Sequence, residues 1–101
     1  MRDHFSLVIP HEIWNNKALT LNEKLIFGRI YYFTIHGECG ACLESNAKLA
    51  KEFNLHSDTI RKSLRKLEAV DLIQKQFRQF NKREMKLSNH CRVHFTKPSD
   101  Y

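Results

Sequence analysis

Glycine, proline and cysteine are scarce in this 101-residue chain, at three, two and three residues. So few glycines and prolines exclude a collagen-like repeat or a linker-dominated chain. No unbroken apolar run exceeds about four residues, so no segment is expected to span a membrane. The opening Met1-Arg2-Asp3-His4 lacks the apolar stretch of a secretory leader, and a reducing cytoplasmic setting is the expectation. A Gly-rich phosphate loop is missing, no Ser or Cys nucleophile stands in a motif, and the carboxylates are scattered singly. His11-Glu12 reads as surface, and an enzyme is not expected. What remains is one domain's worth of chain, 42% hydrophobic and 28% charged, enough to build a core.

Seventeen Lys and Arg against eleven Asp and Glu leave a net charge of +6, which makes a polyanion the first partner to consider. The excess is localised. Residues 1–45 carry four basic side chains against five acidic ones, whereas residues 46–86 carry eleven against five. A surface charged only for solubility would be more even.

Phe5-Ser-Leu-Val-Ile9, stopped by Pro10, reads as an extended arm or edge strand. His11 to Asn16 is expected to make one helical turn with Trp14 as its buried anchor, closing an arm over 1–16. Thr20 and Glu23 have the spacing of a capping box, opening a helix over 21–35. That helix is apolar around nearly its whole circumference, so it must be covered on more than one side. In a short chain this favours a homodimer. Ala41 to Glu44 suggests a brief strand, and Ser45 caps a short helix from Asn46 to Phe53. Asn54 supplies a left-handed turn. The next helix runs from near Ser57 to about Val70, with Ile60, Leu64, Leu67 and Val70 on its buried seam. Either His56 or Ser57 caps it. Leu72 to Arg78 and Arg83 to Leu87 read as a strand pair, followed by a polar tail over 88–101. The fold class is mainly α with a small antiparallel sheet.

The run Leu49-Ala50-Lys-Glu-Phe53-Asn54-Leu55-His-Ser57-Asp-Thr59-Ile60-Arg61-Lys-Ser63-Leu64-Arg-Lys-Leu67, continued by Asp71-Leu72-Ile73, resembles the winged helix-turn-helix family. The family pattern has glycines where this chain has Asn54 and Asp71, and a capping Ser where it has His56. Phe5-x-Leu-Val-Ile-Pro10 and Leu19-Thr-Leu-x-Glu-Lys-Leu25 extend the likeness to the helix-turn-helix domain of plasmid and phage replication initiators. The resemblance implies a domain over 1–87 with a helix-turn-helix at 46–70 and a wing at 72–87. It also implies sequence-specific binding of double-stranded DNA, in transcriptional regulation or replication initiation of a mobile element. With no room for a motor or catalytic domain, a regulator or accessory factor is expected.

In that arrangement Ser57, Asp58, Arg61 and Lys62 would meet base edges in the major groove, with Arg61 suited to guanine and Asp58 to a cytosine amino group. Thr59, Arg65 and Lys66, together with Lys48 and Lys51 on the supporting helix, would hold phosphates. Lys75, Arg78, Lys82 and Arg83 would place the wing along the backbone or minor groove. Ser45 and Asn46 open a helix, where free amides also favour a phosphate. The competing expectation is a protein-interaction module in a replication or transcription assembly, for which Asp58 and Glu68 on the same helix speak.

Cys39-Gly-Ala-Cys42 has the spacing of half a zinc site, and Cys91-Arg-Val-His94 would supply the other half if the tail returns towards Cys42. The alternatives are a redox thiol pair and cysteines that are merely structural. No cofactor is otherwise expected.

Overall fold

The computed structural model describes residues 6–37, 40–77, 82–89 and 91. The chain order is α1 (His11–Trp14), α2 (Leu21–His36), α3 (Asn46–Phe53), α4 (Ser57–Ala69), β1 (Ile73–Phe77) and β2 (Arg83–Leu87). The result is a small mainly α domain carrying one antiparallel hairpin. No helix among the described residues is long and apolar enough to cross a membrane.

Local chemistry explains where the helices start. At α2 the Thr20 hydroxyl accepts the Glu23 amide at 3.2 Å, and the Glu23 carboxylate accepts the Thr20 amide at 2.9 Å. Both bonds satisfy donors that a helix start leaves free. Ser45 does the same for α3, its hydroxyl accepting the Lys48 amide at 3.1 Å. At α4 the open choice resolves to His56: it occupies the cap position without a side-chain bond, and Ser57 is the first helical residue. The turns need positive φ, adopted by Asn54 (57°) between α3 and α4 and by Asp71 (61°) before β1. Short polar side chains are the non-glycine residues that best tolerate this conformation.

Ile26, Phe27 and Ile30 of α2 form the centre of the core, packed with Leu49, with Ile60, Leu64 and Leu67 of α4, and with Ile73, Met85 and Leu87 of the hairpin. Each such side chain contributes about 1.5–3 kcal/mol through burial. Ser63 is also buried, a small residue that lets the inner face of α4 sit close to its neighbours.

The apolar circumference of α2 is covered largely from within the chain. On one side lies the segment 6–9, tied by the Val8 amide donating to the Gly28 carbonyl at 3.1 Å. A side chain at Gly28 would have its Cβ 2.7 Å from Ile9 Cγ1, so glycine permits that approach. α4 and β2 pack on other sides. Much of the cover expected from a second protomer is therefore supplied by the chain itself, with Leu21 and Ile35 at the helix ends left exposed.

Two expected core residues lie elsewhere. Trp14 is 50% exposed; in a one-turn helix only one residue in four faces inward, and that residue is Ile13. The Trp14 ring instead packs beneath Lys24, whose Nζ lies 5.5 Å from the ring centroid. Val70, at the C-cap, is also exposed, because the chain has left the helical period by that point.

The hairpin pairs Ile73 with Leu87, Lys75 with Met85 and Phe77 with Arg83. The brief strand expected at Ala41 to Glu44 is a single bridge, Cys42 to Met85, with amide–carbonyl distances of 2.7 and 3.0 Å. Packing continues beyond Leu87: Ser88 and Cys91 are buried, and the Ser88 hydroxyl donates to the Asp71 carbonyl at 2.7 Å.

Candidate nucleic-acid interface

α4 divides into two faces. With Ile60, Ser63, Leu64 and Leu67 turned to the core, Ser57, Asp58, Arg61, Lys62 and Arg65 are exposed on the opposite side, and Thr59 is half-buried at the edge. Arg61 Nη2 donates to Asp58 Oδ1 at 3.1 Å, one helical turn away. That hydrogen bond, reinforced by the Arg61 charge, holds the Asp58 carboxyl below its ordinary range. The pair presents an oriented guanidinium whose partner is already neutralised. Lys62 and Arg65 form no ion pair with any described residue.

The remaining expected contacts differ in what they do. Lys51 is exposed and unpaired among the described residues, and Lys48 lies between Glu44 at 4.0 Å and Glu52 at 3.8 Å. Lys66 turns away from the outer face: its Nζ donates to the Ala18 carbonyl at 3.2 Å and stands 3.9 Å from Glu23, tying α4 to the start of α2. Lys75 pairs with Glu68 at 3.3 Å and joins β1 to the end of α4. Arg83 donates to Asn46 Oδ1 at 2.7 Å and to the Glu44 carbonyl at 2.9 Å, binding β2 to the beginning of α3. Burial lowers the Arg83 pKa from its ordinary value. Lys82 is exposed beside this junction. Arg78 lies outside the described residues.

Beneath the surface is a charge cluster that the sequence reading did not anticipate. Arg29, 5% exposed, donates from Nε and Nη2 to the Glu44 carboxylate at 3.2 Å each, from Nη2 to Glu52 at 3.5 Å, and from Nη1 to the Ser6 carbonyl at 2.6 Å. Its guanidinium also lies 4.6 Å from the Phe33 ring centroid. Burial, then the neighbouring Glu44 charge, pushes the Glu52 carboxyl above its usual value, and Glu52 Oε1 is buried without a hydrogen-bond partner among the described residues. The signal available in the sequence was a lone arginine inside the apolar run of α2.

The cysteines give no assembled metal centre among the described residues, where no group of three His, Cys, Asp or Glu side chains converges. Cys39 and His94 lie outside those residues. Cys42 and Cys91 are free, buried thiols, pushed by burial up to about 11 and about 12. Charges acting on Cys42 come from Glu44, Arg29 and Arg83, whereas those acting on Cys91 come from Asp71 and Glu12. Thiols so raised are protonated at neutral pH and are poor nucleophiles.

No protein-family model, curated protein or solved structure matches the chain.

Proposed function

We propose that this chain is a winged helix-turn-helix domain that binds specific duplex DNA without catalysing a reaction. The observation that carries this reading is the outer face of α4, where Arg61, Lys62 and Arg65 stand exposed on a helix whose inner face is packed in the core. α4 is the element to enter the major groove, with Ser57, Asp58, Arg61 and Lys62 towards base edges. Lys48, Lys51, Arg65 and Lys82 are the side chains for phosphates, and the start of α3 adds the amides of Ser45 and Asn46. A cytoplasmic role in transcriptional control or replication initiation of a plasmid or phage follows from the family likeness. The same reading expects a homodimer on a two-fold site, and Trp14, Leu21 and Ile35 are exposed apolar side chains available to it.

A protein-binding module is less well supported. Asp58 and Glu68, the acidic groups that favoured it, are engaged by Arg61 and Lys75.

Selection of bound duplexes from a random pool tests the proposal, followed by affinity measurements across a salt series. An enriched motif whose binding weakens steeply with salt is expected. An unenriched pool together with salt-independent binding to a protein partner would overturn it. Sedimentation with and without the selected duplex reads the oligomeric state.

A further inference from the structure

Alternation along the hairpin places Ile73, Lys75 and Phe77 on one face of β1, opposite Leu87, Met85 and Arg83. Nearest the core this face is filled: Ile73, Leu87 and Met85 are buried. At the far end it is not. Phe77 is 67% exposed although it belongs to the face that packs inward. The hairpin overhangs the start of α3 there, and a cleft of about 550 Å³ opens between them. Phe77, Leu43 and Ala47 give it apolar walls, Lys82 and Arg83 stand on the hairpin side, and Ser45 lies at the helix side. Leu43 is itself more than half exposed.

The occupant must satisfy both an aromatic face and a cation. Arg83 is spent on Asn46 and the Glu44 carbonyl, and Glu44, which also lines the cleft, is neutralised by Arg29. Lys82 is thus the lining charge without a described partner. A fully paired duplex offers such a cleft only the outside of its backbone, because its base faces are stacked within the helix. An unpaired nucleotide offers a flat apolar base and, beside it, a phosphate. We propose that this cleft receives an unpaired base of a nucleic-acid strand, stacked on Phe77 with its phosphate at Lys82. The inference rests on the DNA-binding reading and narrows it: the preferred target is a duplex with locally open base pairs next to the bound site.

The test compares two probes, the selected duplex fully paired and the same duplex with a short mismatched bubble beside the site. Wild-type protein is expected to bind the bubbled probe about tenfold tighter, the size of one base–aromatic stack. Phe77→Ala should erase that preference and leave affinity for the paired duplex unchanged; circular dichroism checks that the fold is intact. Phe77→Trp in a Trp14→Phe background should keep the preference and show emission quenching with the bubbled probe alone. Equal wild-type affinity for the two probes, or equal losses on both in Phe77→Ala, would overturn the stacking site while leaving duplex recognition standing. Failure to bind either probe would remove the DNA-binding reading and this inference together.

Discussion

Arg29 and Arg65 carry the same charge on neighbouring helices, yet one is buried among two carboxylates and a backbone carbonyl, and the other meets solvent. The contrast extends across the domain. Arg29, Lys66, Lys75 and Arg83 hold helices and hairpin together, whereas Lys51, Lys62, Arg65 and Lys82 are exposed and unpaired among the described residues. Formal charge weights the two sets equally; their physics differs. A cation already paired and partly desolvated has little left to release counterions from a polyanion, while an exposed one retains its full effect. The expected contact surface is therefore smaller than the basic composition suggests, and it centres on α4.

The most damaging way to break this division is to remove Arg29. Arg29→Met should leave the partly buried Glu44 and Glu52 without their guanidinium, at a cost of up to about 3 kcal/mol, a large part of the stability of a small domain. Urea unfolding reads this directly, and a second substitution, Glu44→Gln, should restore part of the loss. A variant as stable as wild type would mean that Arg29 is not structural.

On the other side of the comparison, Arg61→Ala combined with Lys62→Ala should leave the unfolding midpoint nearly unchanged. Affinity for the selected duplex should fall roughly a hundredfold, through loss of a base contact and a neighbouring charge. If binding survives, α4 is not the reading element.

Lys66 and Arg65 sharpen the division, being adjacent in sequence and placed in opposite sets. Arg65→Ala should reduce the slope of log affinity against log salt by about 1. Lys66→Ala should not change that slope and should lower stability by at most about 1 kcal/mol, since its ion pair with Glu23 is long, at 3.9 Å, and the lysine side chain is 41% exposed. Equal slopes for the two variants would show that packing does not separate them.

That adjacency also indicates what a linear reading can reach. Caps and turns are local: Thr20 with Glu23, Ser45 with Lys48, and Asn54 in its left-handed turn are determined by residues within four positions, and all were legible. So was the buried seam of α4 at Ile60, Leu64 and Leu67, where apolar and charged residues alternate with the helical period. Long-range pairing was not legible. Arg29 meets Glu44 and Glu52 across fifteen and twenty-three residues, and Lys66 reaches Ala18 across forty-eight. In α2 the apolar residues fill nearly every face, so period alone did not show that the 6–9 segment covers one of them. Trp14 went astray for a related reason, because a single helical turn is too short for a pattern to identify its inner face.

Glu52 provides the smallest and most diagnostic test, because it lies where the two sets meet: it faces buried Arg29 on one side and exposed Lys48 on the other. Burial and the Glu44 charge raise its carboxyl above the ordinary 4.5. The folded domain therefore keeps this proton to higher pH than the unfolded chain does. Between 4.5 and the raised value the folded state binds more protons, so this group's contribution to stability is present below the window and is lost as pH rises through it. Glu52→Gln keeps the shape and removes the titration. Its urea midpoint should be flatter than wild type across that window and, above it, equal to or higher than wild type. An unchanged pH profile would mean that Arg29 and Lys48 fully compensate the ionised carboxylate. The boundary between the structural and exposed cations would then lie at Lys48, which would be held in the structural set.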